Sequence, residues 1–284
     1  MNEVLPIQFR NVDKVFRKHD GSPFYACRDL TFEVKRGEIV AIVGETGCGK
    51  STSFNMLLGL QKPDAGEVLV LGKDPFGMVD SLQGLVGIIF QNDRLLPWRT
   101  AVENISFGLD IIGVAKNQRL ERASQWLERV GLKGFENAYP HELSGGMRQR
   151  VSIARAFAIE PEILYADEAF TALDELTAAR IRNDLLGLIS ETNITTVFIT
   201  HLVPEAVDIA HRILVFGRPG RVIREVDREA ELARGNSVSA IEEMVREGLR
   251  MAREAMLAEG TAEDVTAKDL RKQEETTATT GRGA

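Results

Sequence analysis

GETGCGKST, residues 44–52, is the stretch that decides the fold. It follows the apolar run Ile39–Val43 and leads into a helical pattern that starts near Ser53. A strand, a glycine-rich turn and a helix in this order form a loop that cradles phosphates. Glycines let the backbone approach an anion closely, and the helix N-terminus adds its positive dipole. The stretch therefore predicts an α/β fold that binds a nucleoside triphosphate.

Two side chains in this stretch have the chemistry of a phosphate and metal site. Lys50 can reach the β- and γ-phosphates, and the Ser51 hydroxyl can hold Mg²⁺. A chance glycine-rich turn is the alternative, but the spacing GxxxxGK[ST] and the strand–loop–helix context are both satisfied. The residues that we expect at the nucleotide are Gly44, Glu45, Thr46, Gly47, Cys48, Gly49, Lys50, Ser51 and Thr52.

Composition limits the other roles of the chain. Its 284 residues suit one large domain or two small ones, and a net charge of −7 argues against nucleic acid as a partner. Cys27 and Cys48 are too few for a disulfide framework, which favours a reducing compartment. The start of the chain lacks the features of a signal peptide, and no apolar run approaches the ~20 residues that span a bilayer. We therefore expect any work at a membrane to need a partner.

The remaining chain divides by its hydrophobic pattern. Residues 5–40 are β-rich, residues 92–160 are helical and more polar, and two short strands precede position 226. An apolar stripe predicts an amphipathic helix at about 238–258, which docks either on the chain's own surface or on a partner. The composition beyond Thr261 predicts a disordered tail.

A second anion site is predicted at LSGGMRQR, residues 143–150. Ser144 is a good N-cap, and Gly145 and Gly146 expose backbone N–H groups at the start of a helix. One triphosphate already has its cradle at residues 44–52, so this second site can serve the nucleotide of another subunit. An ordinary capped helix is the alternative.

Polar side chains follow several predicted strands, where α/β sheets bind ligands. Asp167 can hold Mg²⁺, and the adjacent Glu168 can position or deprotonate a water molecule. His201 ends a parallel-type strand, which favours a functional role over the structural role that is usual for a lone histidine. Gln91 also ends a buried strand, although a solvated strand end is the commoner explanation.

Two apolar features remain open at this stage. Phe16 can stack on an adenine ring, but buried aromatics are common in β-rich segments, so the residues alone favour a core position. The apolar loop Leu95–Trp98 lies either under the helices or in contact with a partner.

In chain order, these motifs resemble those of the ATPase subunits of ABC transporters. The resemblance covers residues 5–225 and implies a P-loop NTPase with a RecA-like core, an antiparallel β subdomain and a helical subdomain inserted at about 92–160. Residues 226–284 lie outside it as a C-terminal extension.

The resemblance also implies a role for each candidate residue. On the nucleotide of the same subunit it places Phe16, at the adenine, and Gly44–Thr52, at the phosphates. On the nucleotide of the opposite subunit it places Ser144, Gly145 and Gly146. At the metal it places Ser51, Gln91 and Asp167. The catalytic residues that it implies are Glu168 as the base, His201 at the γ-phosphate and Gln91.

The implied partners follow from the same resemblance. They are a second copy of the chain around ATP and Mg²⁺, integral membrane permease subunits at the Gln91–Arg99 region, and a periplasmic or extracellular solute-binding protein. The implied location is peripheral, at the cytoplasmic face of the inner membrane. FQNDRLLPW, LSGGMRQR and TALD are most similar to motifs of importers for nitrate, sulfonate, taurine or bicarbonate. The alternatives are a soluble ABC ATPase without a transport role and the ATPase of a lipid-handling or export complex.

Overall fold

The structure, a computed structural model, describes residues 4–258, so the predicted disordered tail lies outside the described residues. The strands are β1 (Ile7–Arg17), β2 (Pro23–Val34), β3 (Ile39–Val43), β4 (Ala65–Val70), β5 (Val86–Ile89), β6 (Ile163–Asp167), β7 (Thr195–Thr200), β8 (Arg212–Gly217) and β9 (Arg221–Asp227). The helices are α1 (Lys50–Leu57), α2 (Ala101–Ile111), α3 (Lys116–Arg129), α4 (Gly145–Ala158), α5 (Glu175–Thr192), α6 (Val203–Ile209), α7 (Arg228–Ala233) and α8 (238–258).

A central sheet has the strand order β5-β6-β7-β3-β8-β9, and all its pairs are parallel except β8 with β9. Every residue of β3 is apolar and buried, as expected for a strand covered on both faces. The carboxyl ends of parallel strands lie at one edge of the sheet. Consequently the segments that follow β3, β5, β6 and β7 meet there, and this confirms the predicted α/β core.

A separate antiparallel sheet, with the order β2-β1-β4, covers one face of the central sheet. In β2 the side chains of Leu30, Phe32 and Val34 are buried and those between them are exposed, which is the alternation of a half-buried strand. Phe32 stacks on Phe9, with ring centroids 4.5 Å apart, and contacts the edge of Phe216 at 6.0 Å. These rings join the antiparallel sheet to β8.

The helical subdomain consists of α2, α3 and α4, inserted between β5 and β6. Helix α3 is amphipathic, and Ala123 and Leu127 on its apolar stripe are fully buried. Trp126 packs against Phe157 of α4, with ring centroids 5.6 Å apart. The insertion therefore has its own buried core, which continues to one face of the central sheet.

Helix α8 docks on the surface of the chain itself, the first of the two alternatives left open by the sequence. Ile241 and Val245 are fully buried in a cluster with residues of β3, β8 and α6. Among residues 4–258, no helix is long and apolar enough to cross a membrane.

Replacing Ile241 by Ala should destabilise the protein, because it removes buried methylene groups and leaves a cavity under α8. We expect a loss of about 2–5 kcal/mol in the free energy of unfolding, measured by chemical denaturation. Val238→Ala, at a position 42% exposed on the same helix, is the control and should cost about 0.5 kcal/mol or less. Equal effects of the two substitutions would contradict the docked position of α8.

Candidate functional site

The loop between β3 and α1 has the backbone of a phosphate cradle. Gly47 and Gly49 have φ angles of 80° and 99°, in the left-handed region that favours glycine. A Cβ on Gly49 would lie 2.5 Å from the carbonyl oxygen of Ala26, so a side chain cannot be accommodated there. Gly49 is also the N-cap of α1 and supplies no side-chain hydrogen bond. The first N–H groups of α1 are therefore available to an anion.

Lys50 lies at the mouth of this loop. Its side chain is only 8% exposed, and Nζ donates hydrogen bonds to the carbonyl oxygens of Gly44 and Glu45. The Lys50 ammonium, held by loop carbonyls, belongs to the lining of a cavity beside the loop, together with Ser51 and Asp167. The predicted phosphate-binding role of Lys50 thus has the expected geometry.

A cavity of about 220 Å³ lies beside the loop, and Phe16 forms part of its wall. Phe16 is 37% exposed. The core position that the residues alone favoured for it is therefore wrong. Phe24, which pairs with Phe16 across β1 and β2, lines the same cavity and was missed by the sequence analysis. The hairpin register of β1 and β2 could have revealed it. Two aromatic rings beside a phosphate cradle suit a flat nucleobase.

Asp167 and Glu168 bring two carboxylates to the end of β6. Burial raises the pKa of Asp167 above its ordinary value, and the charge of Glu168 raises it further. The charges of Lys50 and Arg94 act in the opposite direction on this pKa. This half-buried acidic pair would be stabilised by additional cationic charge, which a metal-bound nucleotide would supply.

Glu168 brings the three predicted catalytic residues together. Its Oε1 lies 3.3 Å from Nδ1 of His201, and its Oε2 accepts a hydrogen bond from Nε2 of Gln91 at 3.3 Å. The backbone of Glu168 has a left-handed φ of 46°, and its N–H donates to the carbonyl of Ile199 at 2.8 Å. Strained backbone of this kind is concentrated at functional sites. Two side chains from two other strand ends, Gln91 and His201, therefore converge on the Glu168 carboxylate.

The residues predicted at the metal fit Mg²⁺ chemically. Ser51 and Asp167 line the same cavity, and Gln91 lies within hydrogen-bonding distance of Glu168 beside it. Hydroxyl, carboxylate and amide oxygens are hard donors that Mg²⁺ prefers. No group of three or more His, Cys, Asp or Glu side chains within 4–258 could hold a metal ion by itself. The set would therefore hold Mg²⁺ together with phosphate oxygens of a nucleotide.

The second predicted anion site is a capped helix start at α4. The Ser144 hydroxyl accepts a hydrogen bond from the N–H of Met147 at 3.3 Å. A Cβ on Gly146 would lie 2.9 Å from Cγ2 of Thr177, so packing against α5 also favours glycine there. Two cavities lie at the phosphate loop: the one of about 220 Å³ described above, and one of about 580 Å³ beside Gly44, Glu168 and His201. Within the described residues, neither is lined by Ser144, Gly145 or Gly146. The structure does not bring them to the phosphate loop of the same chain.

Helix α4 holds the loop that follows Gln91. Arg148 Nε lies 2.9 Å from Oδ2 of Asp93, and Arg155 donates to the carbonyls of Asp93 and Arg94 at 2.7 and 2.8 Å. The fully buried Asn104 completes the support by hydrogen bonds to the N–H and carbonyl of Leu96. The loop is therefore fixed to the helical subdomain.

The structure buries one end of the apolar loop and leaves the other end exposed, while contact of the loop with a partner stays a prediction. Leu95 is buried under the helices at 8% exposure, whereas Trp98 is 71% exposed. A large exposed aromatic on a rigidly held loop is typical of an interaction site.

Glu205 is a second residue that the sequence analysis missed. Its side chain is 2% exposed and accepts a hydrogen bond from the Thr200 hydroxyl, which itself accepts one from the N–H of Leu202 at 3.0 Å. Burial raises the pKa of Glu205, and Arg182 Nε lies 4.0 Å from its other oxygen. This buried network fixes the turn that carries His201. A glutamate four residues after His201, in the first turn of α6, was the available signal.

Comparison with known proteins agrees with this geometry. Residues 27–171, half of the chain, match the family described as ABC transporter. An uncharacterized ABC transporter ATP-binding protein of Methanocaldococcus jannaschii, MJ0412, is 40% identical, with 79% of this chain and 84% of that protein covered. The taurine import ATP-binding protein TauB of Yersinia pestis is also 40% identical, with 76% and 83% covered.

A solved structure gives the same result for the fold. The dimeric post-hydrolysis state of the ATP-binding cassette MJ0796, bound to ADP and Pi, has a TM-score of 0.69 and 33% identity to this chain. The alignment covers 78% of this chain and 98% of the other. The phosphate cradle, the converging catalytic side chains and these similarities lead to one conclusion: this chain belongs to the ABC transporter family, as an ATP-binding subunit that hydrolyses ATP.

Proposed function

We propose that this chain hydrolyses ATP as one of two identical subunits and thereby drives import of a small anionic solute through membrane partners. The observation that carries the proposal is the convergence of Gln91 and His201 on Glu168 beside the phosphate loop. A carboxylate held from two sides has the fixed orientation that a general base requires.

The proposed chemistry assigns a task to each side chain. Phe16 stacks on the adenine, and the N–H groups of the loop with Lys50 bind the phosphates. Glu168 orients and deprotonates the attacking water, while His201 contacts the γ-phosphate. Mg²⁺, held by Ser51, Gln91 and Asp167, would neutralise phosphate charge when bound.

A second copy of the chain completes the site in this proposal. Ser144, Gly145 and Gly146 form a helix start that can bind phosphate, yet they line neither cavity at their own phosphate loop among the described residues. A two-fold pair lets each copy supply this helix start to the other copy's ATP, because such an interface is self-complementary. The dimeric MJ0796 cassette bound to ADP and Pi supports this arrangement.

The substitution Glu168→Gln should abolish turnover, because the amide cannot accept a proton from water. We expect the rate of phosphate release to fall by about 10²-fold or more, while ATP still drives dimerisation, measured by light scattering. Glu121→Gln, on the exposed face of α3, makes the same chemical change away from the site and should leave turnover unchanged. Turnover near the wild-type rate in Glu168→Gln would contradict the assignment of the base.

The loop Gln91–Arg99 is the proposed contact with the permease subunits. Trp98 is exposed, and the guanidinium groups of Arg94 and Arg99 lie over the rings of Phe90 and Phe107, at 4.7 and 4.8 Å. At one end of the loop Gln91 contacts Glu168. Helix α4 holds the segment between Gln91 and Trp98 through Arg155, which donates to the carbonyl of Asp93. Movement of this loop by a partner would therefore reach the catalytic base directly.

The solute and the location follow from relatives and remain proposals. The relative TauB is a taurine import protein, which supports a sulfonate or a related small anion such as nitrate. The chain would attach peripherally to the cytoplasmic face of the membrane through its permease partner. A periplasmic or extracellular solute-binding protein would deliver the solute, and its ligand would name that solute.

Affinity purification of the tagged full chain from native membranes in detergent tests the transporter role. We expect a polytopic membrane protein in equal amount, and we expect Trp98→Ala to lower its recovery because the exposed indole is lost. Phe135→Ala, at an aromatic position 42% exposed elsewhere in the helical subdomain, is the control and should recover the partner fully. Recovery without any membrane protein, or with ribosomes or DNA, would contradict the import role and leave the ATPase assignment intact.

A further inference from the structure

Helix α8, which lies outside the resemblance seen in the sequence, forms a wall of the nucleotide site. A narrow crevice of about 20 Å³, room for about one water molecule, separates it from the phosphate loop. From the loop the crevice is lined by Glu45, Thr46 and Cys48, and from α8 by Ala252, Arg253 and Met256. One turn earlier, Leu249 lines a larger cavity of about 580 Å³ together with Gly44, Glu168 and His201.

Small residues allow α8 to approach the central sheet closely. A Cβ on Gly248 would lie only 3.1 Å from Cγ2 of Val215. A Cβ on Gly217 would lie 3.4 Å from the Cβ of Ala252. Arg224 of β9 forms an ion pair with Glu247 beside this contact. The C-terminal part of α8 is therefore held against the sheet by packing and by charge.

A short chain of contacts leads from α8 to the start of the phosphate loop. Ala252, 6% exposed, packs on Gly217, and Phe216 precedes Gly217 in β8. The carbonyl oxygen of Phe216 would lie 2.9 Å from a Cβ on Gly44, so it touches the first residue of the loop. A displacement of α8 would consequently be felt at Gly44 through two strand residues, Gly217 and Phe216.

We propose that α8 is a positioning element of the ATP site: its inner face, Leu249, Ala252 and Met256, holds the Glu45–Thr46 side of the phosphate loop in the form that receives ATP. Docking of α8 and binding of ATP then stabilise each other, because a coupling free energy between two sites is reciprocal. The inference rests on the proposed function in taking residues 44–52 as the phosphate cradle.

The first test compares Ala252→Glu with Met251→Glu in the full chain. Both add one carboxylate to α8, but Ala252 faces the sheet and Met251 is 46% exposed. We expect Ala252→Glu to weaken ATP binding by about 10-fold, measured by titration calorimetry, and Met251→Glu to leave it unchanged. Hydrogen exchange should become faster at residues 44–52 in Ala252→Glu alone.

A second pair of substitutions, which disturb packing less, tests the inference if Ala252→Glu does not fold. Met256→Ala shortens a side chain in the crevice, and Met251→Ala makes the same change on the exposed face. Met256→Ala should weaken ATP binding relative to Met251→Ala, and ATP should slow hydrogen exchange at 249–258 in the wild type. Unchanged affinity in every folded inner-face variant would overturn the inference. A wild-type chain that bound no ATP would instead contradict the nucleotide site itself.

Discussion

The parallel register of the central sheet is the constraint on which the whole site depends. Val43 lies beside Thr200, and Asp167 lies beside Ile199. The residue that follows each strand therefore emerges at the same edge, which places Gly44, Glu168 and His201 around one cavity. A shift of one residue in any of these pairs would turn alternate side chains to the opposite face. The fully apolar, buried sequence of β3 favours a position between two other strands, which supports this arrangement.

The charged side chains at the phosphate loop suit an anionic ligand that brings a cation with it, as ATP with Mg²⁺ does in the proposed function. Lys50 is nearly buried, and its ammonium contacts the carbonyls of Gly44 and Glu45 and, at 3.9 Å, the Cys48 sulfur. Asp167 and Glu168 stand close by, and burial raises the pKa of Asp167. In the proposed function, a triphosphate with Mg²⁺ would bring charges of both signs to this arrangement, so binding would relieve both the buried ammonium and the adjacent carboxylates.

Sequence reasoning predicted the local features well, because their signals are local. The glycines of the phosphate loop, the Ser144 cap of α4 and the apolar stripe of α8 each depend on neighbours within a few residues. The environment of Phe16 was not predictable in this way, because its exposure depends on how β1 and β2 lie against the loop. The burial of Glu205 and the contact of α8 with the phosphate loop likewise arise from distant segments, and no periodicity in the chain encodes them.

Two segments that lie far apart in the chain approach Glu168, the proposed catalytic base. On one side Gln91 joins Glu168 to the loop that ends at the exposed Trp98. On the other side Leu249 of α8 lines the cavity that Glu168 and His201 also line. A partner bound to the loop, or a displacement of α8, would therefore change the position of Glu168 without contacting the nucleotide. Because both act on one site, their effects on turnover should not be additive when the two segments are perturbed together.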